Sequence, residues 1–465
     1  MCLTENKSDK RQKTVLQRFY DGPVYPLLVF ALVLTGHTLG QDLIFFALLL
    51  ITMVPGFLCA RDLRFAVAPF LMTLLLVPPE HSPNVPNYSD YYLQPIPFRF
   101  LVICFSVLVA GIIVFCLLHR KEARVPHFFS GMLGGIVVLC AVLCCNGILN
   151  PAYTVKNLLY ALSFLPALLG VYLLFFAFLR PGNATTQYIL YCLVLTGTLI
   201  TCQLAIAFFR AGGLSGGIVS KENMILGWAA WTTAGGMQAF LMPACFYFAA
   251  THRQGWIFYV LGLLQFSGTV LSQSRGAVLV GAVMLVLCLV MLLFFGKNRR
   301  MNQWLDLTVA IVALVGVILF REKLFAIVEK IFSKGFDDNG RYDLWRTAWE
   351  RFLLHPAFGA GFYDSGIEQD WIINVYPYFY HNTQLQMLGS AGLAGLAAYL
   401  WHRGQTVYAV VARPNLQKTF LGFCLLSMIG FCMLDVLFFI TYPLIFYALI
   451  LVALEKSDPP AGKVR

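Results

Sequence analysis

The chain has 465 residues, of which 59% are hydrophobic and only 12% are charged, and its mean hydropathy is +0.75. These values exclude a soluble globular protein, which would need far more polar surface at this length, and they predict a polytopic membrane protein. The net charge of +11 is therefore first interpreted as Lys and Arg on the cytoplasmic side of a membrane, not as a nucleic-acid surface.

The N-terminal tail, residues 1–23, is polar and basic, and apolar segments alternate with polar loops from residue 24 to residue 320. A spanning helix needs roughly 20 residues. Because several segments are shorter, we predict an all-α protein with about 12 (12–14) transmembrane helices. The apolar segments are 24–38, 42–60, 65–78, 98–118, 128–148, 157–179, 186–209, 224–250, 256–272, 276–296, 303–320, 383–400, 419–437 and 439–455.

The distribution of basic residues predicts the orientation. With the N-terminus inside, every inner loop carries Lys or Arg, whereas the outer loop 79–97 carries neither. This bias predicts an N-in, C-in chain with a long outer loop over 321–382, C-terminal membrane helices over 383–455 and an inner tail over 456–465. No convincing internal repeat is found, which weakens the case for an inverted-repeat transporter.

Several cations lie on the predicted outer side, against the usual bias. They occur in the loop "RAGGLSGGIVSKEN", in the tight turn "SQSRG" and in the long loop, and include Arg210, Lys221, Arg275, Arg341, Arg346 and Arg351. Two interpretations remain open at this point. Each cation can be a solvated or interfacial anchor, Arg275 for example paired with Asp364, or it can belong to an anion-binding site.

The stretch "GRYDLWRTAWERFLLHP" in the long loop predicts a helix over 341–354. Tyr342, Trp345, Trp349, Phe352 and Leu353 share one face at helical spacing, which is typical of a helix lying on a membrane surface. His355–Pro356 ends it, because proline disfavours helix in the preceding residue.

Titratable residues near the predicted outer surface include one conspicuous histidine. His381 stands between aromatic residues and a polar Asn-Thr-Gln, at the start of a membrane segment on the arginine-rich side. It can be structural, or it can accept a proton near neutral pH. Asp435, inside "FCMLDVLFFI", can pair with a polar group of the bundle or line a cavity. The run "DDNGRYD", with Asp337, Asp338 and Asp343, does not match a calcium-loop spacing.

The stretch "HNTQLQMLGSAGLAG" is His-Asn, nine residues, then Gly392-Leu-Ala-Gly395. It resembles the signature of the O-antigen ligase and O-antigen polymerase superfamily. The loop "GRYDLWRTAWERFLLHPAFGAGFYDSG" and the turn "SQSRGA" are similar to further motifs of that family, so the resemblance covers about 275 to 396.

The resemblance implies a membrane-embedded glycosyltransferase of the C-type fold, in the bacterial inner membrane with a periplasmic active site. Its donor would be an O-antigen chain on undecaprenyl pyrophosphate, and its acceptor lipid A–core oligosaccharide. Within this framework His381 is the candidate base, and Arg275 and Arg341 are candidate stabilisers of the pyrophosphate leaving group. No cofactor or metal is expected. Substrate contacts are assigned to Arg346, Lys221, Arg210, Asn382 and Tyr380.

Ligase and polymerase are the two nearest functions. Polymerases of the family often show Arg-x10-Gly patterns, but counting forward from Arg210, Arg275, Arg341 and Arg346 reaches no glycine. The sequence therefore favours an O-antigen ligase over an O-antigen polymerase. A protein oligosaccharyltransferase or a polytopic transporter is less favoured.

Overall fold

The structure is a computed structural model, and it describes residues 15–81, 91–129, 131–213, 219, 223–319, 321–322, 340–363 and 377–457. Within these ranges all regular structure is helical. Lys221, Asp337, Asp338 and Asp364 lie outside the described residues.

The described residues of the first half of the chain form nine α-helices. They are α1 (Val15–Asp21), α2 (Val24–Leu39), α3 (Asp42–Cys59), α4 (Arg64–Met72), α5 (Pro95–Leu118), α6 (Leu133–Cys144), α7 (Val155–Leu162), α8 (Val171–Phe178) and α9 (Asn183–Arg210). A π-helical turn, Leu165–Gly170, joins α7 to α8 and makes one long apolar unit of Val155–Phe178.

The second half adds nine more helices in the described residues. They are α10 (Trp231–Leu241), α11 (Pro243–Thr251), α12 (Gly255–Leu271), α13 (Arg275–Phe294), α14 (Arg299–Leu319), α15 (Arg341–Leu354), α16 (Thr383–Val411), α17 (Leu416–Cys432) and α18 (Thr441–Lys456). The helix predicted over 341–354 is confirmed as α15, and His355 follows its last residue.

Six helices of the described chain are long and apolar enough to cross a membrane. These are Asp42–Cys59, Pro95–Leu118, Val155–Phe178, Asn183–Arg210, Arg275–Phe294 and Arg299–Leu319, with a seventh if α1 and α2, bent by 65°, form one span. The prediction of a polytopic membrane protein is thus supported. The higher number of 12–14 spans, the N-in, C-in orientation and the glycosyltransferase C-type fold remain predictions.

The difference in number has a physical reason, because several predicted segments are interrupted. The segment 224–250 becomes α10 and α11, which meet at Met242 and Pro243. The segment 419–437 ends early, because α17 stops at Cys432. An interruption of this kind shortens the continuous helix but leaves the apolar composition of the segment unchanged. Composition alone therefore overestimates helix length.

The interior of the bundle is held around α9 by polar side chains that bond to backbone groups. Gln238 Nε2 donates to the Gly197 carbonyl at 2.8 Å, and Gln265 Nε2 donates to the Val194 carbonyl at 3.0 Å. By contrast, only 11% of the α5 span and 6% of the α14 span are buried. These two apolar helices therefore lie at the periphery, where lipid would cover them.

Two ends of the bundle are defined by contacts between distant segments. At the first, called the His381 end, Asn382 of the α16 start contacts Met433 after α17, and Tyr160 of α7 bonds to the Phe439 carbonyl. At the second, called the Glu455 end, the Glu455 carboxylate accepts from Met132 N at 2.9 Å, and Gly182 N donates to the Lys456 carbonyl at 2.9 Å.

Candidate active site

His381 is fixed at the point where α16 begins. Its backbone has φ +50°, a left-handed conformation that is uncommon for a residue with a side chain and that concentrates at functional sites. The next residue, Asn382, is the N-cap, and its side-chain oxygen accepts from Leu385 N at 3.0 Å. Its amide Nδ2 donates to the Met433 carbonyl at 3.0 Å. The start of α16 is thereby tied to the chain after α17.

That chain carries the acid that faces His381. The His381 Nδ1 and the Asp435 Oδ1 are 3.0 Å apart, and the same Oδ1 accepts from Val436 N at 2.8 Å. Asp435 thus pairs with a polar group, one of the two alternatives considered for it, and it lies beyond the end of α17. The His381 side chain is 42% exposed and that of Asp435 17%. Nδ1 is therefore engaged in a half-sheltered pair, while the imidazole ring remains accessible from outside.

The aromatic residues before His381 form the packing base of the site. Tyr380 is buried, and a Cβ on Gly389 would lie 2.7 Å from its ring. Tyr380 N donates a hydrogen bond to Gln386 Oε1 at 2.8 Å, and Gln386 Nε2 donates one to the Tyr378 carbonyl at 3.0 Å. A substrate contact for Tyr380 stays a prediction, since its observed contacts are with the protein.

The segment 355–363, "HPAFGAGFY", is inserted alongside a break in α16. At Gly392 the backbone has φ +67° and ψ −159°, so the helical ladder is interrupted. Leu393 N instead donates to the Pro356 carbonyl at 2.8 Å, and Ala360 N donates to the Gly389 carbonyl at 2.8 Å. A Cβ on Gly392 would lie 2.5 Å from the Ala357 carbonyl group. Only glycine fits this backbone and this close approach.

Three asparagines hold the other side of the inserted segment. Asn146 Oδ1 accepts from Phe362 N at 3.2 Å, and Asn157 Oδ1 accepts from Tyr363 N at 2.7 Å. Asn150 Nδ2 donates to the Ala360 carbonyl at 2.9 Å. The sequence patterns did not single out these residues. Their signal is "NGILNPAYTVKN", a polar, turn-forming stretch with three asparagines between two apolar segments.

Arg275 is the first residue of α13 and is exposed. The turn before it is shaped by Gln273, with φ +53°, whose Nε2 donates to the Val219 carbonyl at 3.1 Å. After it, a Cβ on Gly276 would lie 3.3 Å from Leu434, the neighbour of Asp435. The Ser-Arg-Gly turn and the Asp435 loop therefore lie side by side.

Arg341 is the first residue of α15 and is half-buried. This helix packs on α16 at Ala348, whose Cα lies 3.3 Å from the position of a Cβ on Gly389. On its other face Tyr342, Trp349 and Leu353 are 66%, 48% and 60% exposed. The predicted apolar stripe is thus mostly outward-facing, as a helix on a membrane surface requires.

Two other predicted substrate-binding residues lie elsewhere. The Arg346 Nε bonds to Glu350 Oε1 at 2.8 Å on the exposed side of α15. The Arg210 Nη2 donates to the Thr38 carbonyl at 2.8 Å, which ties it to the end of α2. Neither contact joins the His381 pair.

Arg351, to which the sequence assigned no role in the site, acts on Tyr378 of the segment before His381. Burial raises the pKa of the Tyr378 phenol, and the Arg351 guanidinium opposes that rise. No such effect joins Arg346 to Tyr378. Within the described part of the chain, no group of three or more His, Cys, Asp or Glu is placed to hold a metal ion.

The bundle of apolar helices, with a His–Asp pair and two arginines that begin helices at one end, is that of a multi-pass membrane protein. Residues 260–400 match the family model described as Wzy_C, O-antigen ligase, and this match confirms the predicted resemblance of this region to the O-antigen ligase superfamily. The matched range includes Arg275, Arg341 and His381 and leaves out Arg210, Lys221 and Asp435. A search of curated proteins found no match.

Proposed function

We propose that the protein is an O-antigen ligase, which transfers O-antigen polysaccharide from undecaprenyl pyrophosphate to lipid A–core oligosaccharide at the periplasmic face of the inner membrane. The family match over residues 260–400 supports a glycosyltransferase-like enzyme that acts on a lipid-linked polysaccharide. The observation that carries the proposal is the His381–Asp435 pair at the end of the bundle where the family motif lies.

The pair suits a general base. If the Asp435 carboxylate accepts a hydrogen bond from His381 Nδ1, the imidazole proton is held on that nitrogen. The lone pair of Nε2 is then available to a substrate hydroxyl. The acceptor oxygen would form a bond to the anomeric carbon while its proton passes to Nε2. The developing imidazolium would be stabilised by the Asp435 carboxylate.

The bond that breaks joins the anomeric carbon to the pyrophosphate oxygen, and the electron pair leaves with the pyrophosphate. Arg275 and Arg341 each stand at the first position of a helix. A helix N-terminus offers unpaired N–H groups and a positive dipole end, and the guanidinium adds a permanent charge with a planar fork. Both features favour a leaving pyrophosphate.

A single displacement of this kind inverts the anomeric configuration and requires no metal in the proposed scheme. We expect transfer by the purified protein to persist after EDTA treatment. Loss of transfer with EDTA and its return with Mg²⁺ would contradict this part of the proposal.

The lipopolysaccharide of a strain lacking the gene separates ligase from polymerase. For a ligase, we expect unsubstituted core together with long polymer on the lipid carrier, and restoration by the wild-type gene. Core bearing a single repeat unit would instead identify an O-antigen polymerase using the same lipid-linked donor.

A further inference from the structure

A basic cavity lies at the Glu455 end, remote from the His381 pair. It has a volume of about 600 Å³ and opens where α3, α5 and α8 end. Its lining includes Arg61, His119, Lys121, Glu122, Arg124 and Arg180. The α7–α8 unit, 24 residues long, separates Arg180 from Asn157 beside the inserted segment by about 35 Å at 1.5 Å per residue.

The charges of this cavity are largely uncompensated. Four guanidinium or ammonium groups face one carboxylate, Glu122, which pairs with Arg180 Nη2 at 3.2 Å. Among the described residues, the side chains of Arg61, Lys121 and Arg124 make no hydrogen bond or ion pair to the protein. If these cations served only to cap helix C-termini, their side chains would bond to the last carbonyl groups of the helices. Here that role is taken by His119, whose Nδ1 lies 3.1 Å from the Phe115 carbonyl.

Exposed apolar side chains adjoin the lining residues along the chain, and they are called the apolar rim. Leu117 and Leu118, at the end of the peripheral helix α5 and just before the lining residue His119, are 62% and 60% exposed. Val125, which follows the lining residue Arg124, is 84% exposed. A cationic cavity beside unpaired apolar side chains matches a ligand with an anionic head and hydrocarbon chains.

We propose that this cavity binds the phosphate headgroup of an anionic phospholipid, with the acyl chains lying along the exposed face of α5. Phosphate oxygens bond to Lys121, Arg124 and Arg61, and the leaflet is the one opposite the candidate active site. A free phosphate would share the headgroup chemistry but would gain nothing from the apolar rim.

Native mass spectrometry of the purified full-length protein in detergent tests the proposal, with phosphatidylglycerol and phosphatidylcholine of equal chain length as probes. We expect retention of phosphatidylglycerol over phosphatidylcholine. The double variant Lys121→Gln, Arg124→Gln should lose that preference, at about fivefold in affinity per removed cation. The matched control is Arg253→Gln, Arg300→Gln, which removes two exposed cations that do not line the cavity, and it should bind as the wild type does.

A second variant works in the opposite direction. Glu122→Gln removes the one carboxylate and releases Arg180, so phosphatidylglycerol should bind more tightly. Equal binding of the two lipids, or unchanged binding in both the double variant and Glu122→Gln, would overturn the proposal. Displacement of phosphatidylglycerol by an equal concentration of inorganic phosphate would show an anion site without lipid specificity and would also overturn it. Binding is measured without turnover, so the result is independent of the proposed transferase activity.

Discussion

The candidate active site and the basic cavity, at opposite ends of this bundle, use polar residues in opposite ways. At the His381 end, the side chains are bonded to one another and to backbone groups, as the His381–Asp435 pair and the Asn382–Met433 contact show. At the Glu455 end, Lys121 and Arg124 line an open cavity and are exposed. Side chains fixed by the protein suit chemistry that requires orientation, whereas exposed cations that are not bonded to the protein suit the binding of a charged surface or headgroup.

The strongest test of this difference removes one histidine from each end. His381→Ala should lower polysaccharide transfer by about 10² to 10⁴-fold, because a general base contributes an effect of that order. His127→Ala, an exposed histidine at the Glu455 end, should leave transfer unchanged. Initial rates with purified protein and lipid-linked donor would measure both. Normal transfer by folded His381→Ala would refute the base assignment.

Asp435→Asn tests whether polysaccharide transfer depends on the orientation of the His381 imidazole by Asp435 as well as on His381 itself. Loss of a hydrogen bond to a charged group costs about 1.5–3 kcal/mol, so kcat should fall about 10- to 100-fold with little change in KM. Asp435→Glu, which keeps the charge, should recover part of the rate. A KM effect alone would assign Asp435 to substrate binding instead.

Gly392→Ala tests the backbone on which the site is built. With φ +67° and a Cβ only 2.5 Å from the Ala357 carbonyl group, the substitution should destabilise the protein by about 1–3 kcal/mol or more. Gly404→Ala is the matched control in the same helix, since a Cβ there meets nothing within 4 Å. Thermal unfolding in detergent compares them, and equal midpoints would mean that the break at Gly392 is not required.

The smallest expected effect distinguishes two arginines of α15. Arg346 is exposed and paired with Glu350, so Arg346→Gln should change transfer less than twofold. Arg351→Gln should lower transfer more, because the Arg351 guanidinium acts electrostatically on Tyr378 in the segment before His381. The reverse order would show that the exposed face of α15 meets the substrate.

Sequence patterns predicted the class of protein and the loop helix and identified the residues of the motif. Apolar runs, helical spacing and His-Asn-x9-Gly are all local signals. These patterns did not identify Asp435 as the partner of His381, because the two residues are 54 positions apart. They also predicted 419–437 as one uninterrupted segment. Nor did they show that two glycines of the motif differ in role: Gly389 lets α15 approach closely at Ala348, whereas Gly392 breaks α16 beside the inserted segment. Such contacts depend on tertiary packing and leave no periodic trace.

The inserted segment also bears on how the protein is made. Phe362 and Tyr363 bond to Asn146 and Asn157, which precede them by 216 and 206 residues, and the segment's other neighbour, the broken helix, is synthesised afterwards. The framework around His381 can therefore close only after most of the chain has entered the membrane. Until then its early and late parts remain separate, so a truncated or partly inserted chain lacks a formed site.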